Sequence, residues 1–325
     1  QSTGKKDLKN IKGLVIPEAD KWISTGEREM IKDLDLLPVP ARPLTSSYRG
    51  EYFRGKWRPI ASLSSSKGCP FRCSFCSLWK IMKGKYKTRS AGSVVNEIKQ
   101  IKEDYIDFAE DNFLHDLKRA EKIYELIKAE GIKKTYKLYA RSDTIVKRPD
   151  IIEKWKEIGM ELILIGLESF RDNELKDLNK RNSIKNNEEA IRILQANDVE
   201  IAAYFIVNPD YTREDFEQLG DYVINLKLTQ PIFTVLTPLP GTDLYEQTKD
   251  KITTDNYELF DFIHSVLPTR LPKEEFYQSL ANLYKKTYSA AWAGQITEAG
   301  QSQERSFDNK VIDQLFTLLS KAHQV

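Results

Sequence analysis

Gly68-Cys69-Pro70-Phe71-Arg72-Cys73-Ser74-Phe75-Cys76 is the stretch on which the reading of this chain turns. It holds all three cysteines of the 325 residues, spaced C-x3-C-x2-C, directly after the apolar run Ile60 to Leu63. Three thiolates this close can cap three irons of a [4Fe–4S] cluster, which normally takes four protein thiolates. With no fourth cysteine in the chain, one iron is left for an exchangeable ligand, as a catalytic cluster requires. Two other readings stand beside this one. A structural zinc site would need four nitrogen or sulfur ligands, and only His115, His264 and His323 are available to complete it, none near the cysteines in sequence. Three buried free thiols are the other, although buried thiols have no reason to fall at this spacing.

From residue 60 outward the chain alternates strand and helix. Ile60–Ser64, Tyr105–Ala109, Thr135–Ala140, Leu162–Leu167, Glu200–Val207 and Phe233–Leu236 read as strands. Between them lie helical patterns. One runs from about Ser93 to Glu103 with Val94, Val95, Ile98 and Ile101 on one face. Another is capped by Asp116 and stopped by Gly131, and a third spans Pro149–Ile158. Asn186–Ala196 is a fourth, and the last opens at Thr212 with a capping box completed by Asp215. Six strands each followed by a helix predict a parallel α/β sheet, curved into a partial (β/α)6 TIM-like barrel.

The flanks read differently. Asp33 to Arg42 (DLDLLPVPAR) is an extended connector, since Pro38 and Pro40 deny ladder donors; before it, Ile11–Ile16 and Lys21–Ser24 are two short strands. Beyond residue 252, Asn256–Val266 and Lys273–Tyr288 read as helices, Gly294–Ser306 as a loose polar stretch, and Val311–Ala322 as a terminal helix with Leu315, Leu318 and Leu319 inward. The domain expectation is therefore a linker over 1–54, a barrel over 55–252 and a helical C-terminal extension over 253–325. Fifty basic residues nearly balance 48 acidic ones, so no global charge argues for nucleic acid. No apolar stretch approaches the ~18–20 residues of a membrane span. Three clustered cysteines without a disulfide framework fit a reducing, cytoplasmic setting.

Sites in parallel barrels form at the C-terminal strand ends. There the sequence places Glu110-Asp111-Asn112, Arg141-Ser142-Asp143, Glu168-Ser169 and Asn208-Pro209-Asp210. Carboxylates such as Glu110 and Glu168 suit an amine or a diol. Arg141 suits a carboxylate through its bidentate fork.

The cysteine spacing, with an aromatic residue just before the third cysteine, resembles the radical S-adenosylmethionine (radical SAM) enzymes. The resemblance covers about residues 55–250. It implies that Cys69, Cys73 and Cys76 hold the cluster, that S-adenosylmethionine binds the open iron, and that reductive cleavage yields a 5′-deoxyadenosyl radical. It implies cofactor contacts from Glu110, Arg141, Ser142 and Glu168, with Lys180 or Arg181 near the substrate or the carboxylate, and adenine against Phe75 and the strand backbone near Val207. Ala109-Glu110-Asp111 stands where the family has a Gly-Gly-Glu-like turn, and the glycine-rich motif of the fifth strand is absent. DLDLLPVPAR, IGLESF with Leu178-Asn179-Lys180, and Thr237-Pro238-Leu239-Pro240-Gly241-Thr242 are similar to the cobalamin-linked subgroup. Asn208 to Phe216 and Val266 to Pro272 are similar to its hopanoid C-3 methylase type. The subgroup implies methylation of an unactivated carbon on an apolar or lipid substrate, with peripheral membrane contact. It also implies cobalamin held by an upstream domain outside this chain, and an electron donor such as flavodoxin or ferredoxin. The opening at Gln1 rather than methionine is read as the start of a catalytic part. The alternatives are a radical SAM cyclisation or other carbon–carbon bond formation, and a non-enzymatic metal-binding module.

Overall fold

The computed structural model describes residues 8–298, 314 and 316–324. It divides into two units at Pro38 and Val39. In the first, β1 (Val15–Glu18) and β2 (Lys21–Ser24) pair antiparallel, with Ile16 opposite Ile23. The turn between them passes through Ala19 at a φ of 50°. A single 3-10 turn, Leu34–Leu36, follows, its first donor taken by the Asp33 carboxylate at 2.9 Å.

The second unit is the barrel. Its strands are β3 (Ile60–Leu63), β6 (Tyr105–Phe108), β7 (Thr135–Ala140), β8 (Met160–Glu168), β9 (Glu200–Val207) and β10 (Gln230–Val235), with the short pair β4 (Ser66–Lys67) and β5 (Lys87–Thr88) set apart. The six long strands are all parallel and lie in chain order, so each crossover steps to the next neighbour. The crossovers include α2 (Ala91–Gln100), α3 (Leu117–Ala129), α5 (Asp150–Glu157), α7 (Ile184–Ala196) and α8 (Arg213–Asn225); four shorter helices are α1 (Leu78–Ile81), α4 (Ser142–Lys147), α6 (Asp172–Asp177) and α9 (Asp243–Thr248). Alternate strand residues such as Ile106, Phe108, Ile163 and Phe205 face these helices and are fully buried, as a two-sided parallel sheet demands. The opposite face carries a smaller apolar plug of Trp57, Leu162 and Ala202, with Trp57 stacked on Tyr105 at 5.3 Å.

An open sheet leaves two edges, and both are covered. Along β10 lies α10 (Lys273–Glu298), whose Tyr284 hydroxyl accepts from Phe233 N at 2.9 Å and donates to its carbonyl at 2.7 Å. Along β3 lies a ten-residue 3-10 helix, Arg42–Glu51, where the sequence reads as part of a linker. Arg42 donates to the Ser62 carbonyl at 3.0 Å and pairs with Glu97, while Arg49 pairs with Glu103.

Three expectations for the C-terminal region are corrected. Asn256–Val266 is not a helix but one 3-10 turn, Tyr257–Leu259, followed by bends. Asn256 and Asp261 turn their side chains onto the backbone N–H groups two and three residues on, and Phe262 sits at a φ of 66°. These local bonds compete with a helix. Helix α10 runs ten residues further than Tyr288, to Glu298. Leu319 is buried, but Leu318 is exposed rather than inward. Leu315 and residues 299–306 of the loose stretch lie outside the described residues.

Candidate functional site

Ser66 pairs with Thr88, and Lys67 with Lys87. That ladder closes the segment 66–88 into a loop on itself, with all three cysteines inside it. Gly68 lies at the neck with a φ of 94°, donating its N–H to Asp111 Oδ2 at 2.7 Å. A Cβ there would overlap the Lys85 carbonyl, so the turn requires glycine at this position. The loop is fastened to the mouth of the barrel by backbone bonds. Ser74 N donates to the Leu178 carbonyl and Leu244 N to the Ser74 carbonyl, each at 2.9 Å. Asn179 Nδ2 donates to the Arg72 carbonyl at 2.6 Å, and Trp79 Nε1 to the Cys73 carbonyl at 3.1 Å.

Cys73 is buried, while Cys69 and Cys76 are half-buried. Burial pushes the Cys73 thiol up, and the charges of Lys180 and Arg141 pull it back. Burial also pushes Cys76 up, against a backbone hydrogen bond at Leu78, and Cys69 and Asp111 reinforce the rise. The thiols therefore neighbour one another and two cations, which suits ligands that are thiolates when occupied. Among the described residues no three His, Cys, Asp or Glu side chains converge on a single ion's position. The donor set is three thiols on one closed loop; His115 packs edge-on against Phe71 and Tyr86 of that loop, at 6.1 and 4.7 Å between ring centroids, but joins no group of three metal-holding side chains among the described residues. This donor set fits a cluster capped at three corners and does not supply a four-ligand zinc site.

The strand ends carry the other expected residues, and the structure sorts them. Arg141, Glu168 and Lys180 come together beside Cys73. Lys180 Nζ donates to Glu168 Oε1 at 2.5 Å, and both side chains are almost wholly buried. Glu168 reaches this position through a break in the β8–β9 register after Gly166 and a φ of 66°. A Cβ on Gly166 would overlap the Glu168 carboxylate and sit 3.0 Å from Lys180 Nζ. Arg141 lies 3.6 Å from the Phe71 ring centroid, donates to Asp143 Oδ1 at 2.9 Å and reaches the Lys180 carbonyl at 2.8 Å. Arg181, expected in the same role as Lys180, is exposed.

Glu110, Ser142 and Val207 stand apart from that group. Glu110 lies under the neck of the loop, accepting from Ser66 N at 2.9 Å and also from Ser65 N and the Ser66 hydroxyl. Burial raises its pKa despite these bonds. Ser142 is fully buried, donating to Asn187 Oδ1 at 2.6 Å and accepting from Asn182 at 2.5 Å. Val207 packs its side chain in the core, and its carbonyl accepts from Leu236 N at 2.9 Å. Phe75 is half-buried on the cysteine loop.

Sequence reasoning passed over a polar layer on the inner face of the sheet. Lys137 Nζ donates to Asp107 Oδ2 at 2.9 Å and to the Tyr139 hydroxyl at 2.6 Å. Tyr204 stands near, its pKa raised by burial and by Tyr139. The available signal was a charge inside each of two strand runs, YIDF and TYKLYA. A groove of about 540 Å³ between α8 and α10 is lined by residues such as Arg213, Glu275 and Lys286 and by none of the strand-end residues above. No helix among the described residues is long and apolar enough to cross a membrane.

Residues 63–223 match the radical SAM superfamily. The chain is 36% identical over 252 residues to the hopanoid C-3 methylase of Methylococcus capsulatus, covering 76% of this chain and 48% of that one. It is 25% identical over 289 residues to the anaerobic magnesium-protoporphyrin IX monomethyl ester cyclase of Cereibacter sphaeroides, covering 86% and 47%. The chain thus spans about half the length of these relatives. Among solved structures, the cobalamin-dependent S-adenosylmethionine radical enzyme OxsB with aqua-cobalamin bound superposes with a TM-score of 0.68, 15% identity, and coverage of 96% of this chain and 52% of that one.

Proposed function

The chain belongs to the radical SAM superfamily, whose members use a [4Fe–4S] cluster and S-adenosylmethionine, and on that premise we propose that it is the catalytic barrel of a cobalamin-dependent C-methylating enzyme acting on a lipid-like substrate. The observation that carries this reading is the closed loop of three cysteines docked beside the Glu168–Lys180–Arg141 group. In this reading residues 55–252 form the catalytic barrel, and Cys69, Cys73 and Cys76 hold the cluster. When bound, the cluster and S-adenosylmethionine together supply a one-electron cleavage that makes a hydrogen-abstracting adenosyl radical.

The chain's own residues do the positioning. Lys180 and Arg141 lower the cost of thiolates in a half-buried loop. The Glu168–Lys180 pair, fixed near Cys73, would offer a cation and a carboxylate to the amine or carboxylate of S-adenosylmethionine. Arg141, held by Asp143 and the Lys180 carbonyl, is pre-oriented for the same group. Glu110 acts by holding Ser65 and Ser66, which aim the neck of the loop, and Ser142 by bracing the strand end. Phe75 and the backbone near Val207 would flank the adenine. The lipid-like substrate is supported by the hopanoid C-3 methylase relative, and cobalamin by the subgroup motifs. An external one-electron donor and a reducing cytoplasm complete the reading; peripheral membrane contact follows from the substrate class, and nucleic acid has no part in it.

The test is anaerobic reconstitution with iron and sulfide, then incubation with S-adenosylmethionine, cobalamin, a photoreduced deazaflavin as one-electron donor and a bacterial lipid extract, followed by mass spectrometry. The expected products are 5′-deoxyadenosine and a lipid heavier by one methyl group. Cleavage with a ring closure and no added methyl moves the assignment to cyclisation, in line with the cyclase relative. A chain that binds no iron leaves only the metal-free or zinc-module reading.

A further inference from the structure

The segment from Tyr52 to Asn96 contains ten lysines and arginines and not one aspartate or glutamate, in a chain whose net charge is only +2. The closed cysteine loop lies inside this segment. Its outer surface presents Lys67, Arg72 and Lys85, all exposed, with Lys80 half-exposed. Trp79 lies between two of these cations. Arg72 stands 5.6 Å and Lys80 5.4 Å from its ring centroid, and its indole donates to the Cys73 carbonyl. Ile81, on the same short helix, is 70% exposed. From outside the loop, Asp243 pairs with Lys80 at 2.6 Å.

We propose that this outer face, centred on Arg72, Trp79 and Lys85, is the docking surface for an acidic one-electron carrier protein. The inference rests on the reading that the cysteines hold the cluster. The geometry gives the face its role. The inner side of the loop is taken by Lys180, Glu168 and Arg141, so an electron enters from the outer side. Transfer between proteins falls steeply with distance, and Trp79 is the surface ring bonded to a cysteine's own backbone. A cation-rich, carboxylate-free loop steers an acidic partner and repels a basic one. Ile81 supplies the apolar contact that the centre of a small redox interface contains. Each encounter moves one electron: the carrier is oxidised by one, the cluster is reduced by one, and no bond or proton changes in this chain.

The experiment compares the unaltered chain with Arg72→Glu/Lys85→Glu, both loaded with cluster. Calorimetry with oxidised ferredoxin reads affinity, and 5′-deoxyadenosine release reads rate with reduced ferredoxin or with a small photoreduced deazaflavin. The expected result is affinity weakened about tenfold, a matching fall in the ferredoxin-driven rate, and deazaflavin-driven cleavage and iron content unchanged. Raising salt from about 50 to about 300 mM should weaken only the unaltered chain's binding appreciably. Ferredoxin affinity and rate within about twofold of the unaltered chain overturn the proposal. So does loss of binding to phosphatidylserine vesicles with ferredoxin binding intact, which assigns the face to an anionic membrane. If deazaflavin drives no cleavage in the unaltered chain, the cluster reading itself fails, and calorimetry still decides whether the face binds the carrier.

Discussion

Trp79 and Trp155 each donate an indole N–H to a neighbouring backbone carbonyl, Cys73 at 3.1 Å and Ala120 at 3.2 Å. Around Trp79 lie cations and solvent. Around Trp155 lie Phe108, Phe113 and Tyr136, with ring centroids 5.0 to 5.7 Å away, and the indole is fully buried. The same contact serves two purposes. Trp155 locks α5 against α3 and the sheet through apolar area removed from water. Trp79 fixes a short loop whose own apolar burial is slight, so its shape depends on backbone bonds and on the β4–β5 neck. The barrel thus separates what keeps it folded from what it presents at its mouth.

The sharpest way to break that separation is a pair of variants. Trp155→Ala should cost about 3–5 kcal/mol, the range for emptying a large aromatic site, and appear as a large fall in the urea midpoint with the slope unchanged. Cys73→Ala should leave the midpoint within about 1 kcal/mol but remove the iron-binding capacity of the anaerobically reconstituted chain, read by iron content and the visible thiolate–iron absorption. If Cys73→Ala unfolds the metal-free chain as severely as Trp155→Ala, the loop is part of the core and the contrast is void.

A second variant probes where the two regions meet. Gly166 belongs to β8 yet lies against the Glu168–Lys180 pair. Gly166→Ala should displace the carboxylate and cost about 1–3 kcal/mol, the usual penalty for overpacking. Affinity for S-adenosylmethionine, measured by equilibrium dialysis on the cluster-loaded chain, should fall about tenfold, which is 1.4 kcal/mol. Stability lost with affinity untouched would make the pair a structural brace and nothing more.

The strand–helix alternation was legible because each strand is a short apolar run bounded by turn residues. Two of the six strands match their sequence bounds, Thr135–Ala140 and Glu200–Val207. The last strand begins earlier than its pattern shows, at Gln230, because Pro231 reads as a breaker. It is tolerated there because β10 is an edge strand. Tyr257 and Phe260 mimic a helical face, and the bonds that Asn256 and Asp261 accept from backbone N–H groups two and three residues on decide otherwise. At the site, the cysteine spacing was plain in the sequence. The Glu168–Lys180 pair was not, since it depends on a register break and a left-handed backbone that no local pattern announces. Glu110 was legible as a strand-end carboxylate, but its partners Ser65 and Ser66 come from a neighbouring strand end.

The smallest effect concerns the edge of the sheet. Arg49 on the 3-10 helix pairs with Glu103, which is nearly buried at the foot of β6. Burial pushes the Glu103 carboxyl up, but the Arg49 hydrogen bond, a backbone hydrogen bond and the charges of Arg49 and Arg42 together outweigh it, and the net pKa lies below its ordinary 4.5. A carboxylate depressed in the folded state adds stability above its unfolded pKa and loses it as pH falls through the folded value. Arg49→Ala should therefore cost about 1–2 kcal/mol at pH 7, less than a fully buried pair because Arg49 is partly wet. The gap between the two chains should begin to shrink as pH drops below 4.5 and close further as pH falls through the depressed folded value, below which both carry a protonated Glu103. Arg42 also acts on this carboxylate, so part of the acid dependence survives in Arg49→Ala. Glu103→Gln should show a similar loss at pH 7 with this dependence gone. Urea unfolding at a series of pH values from 7 to about 3.5 reads all three chains. A gap that stays constant with pH would mean that the Arg49 stem holds the sheet edge by packing, like Trp155, and that charge holds only the mouth.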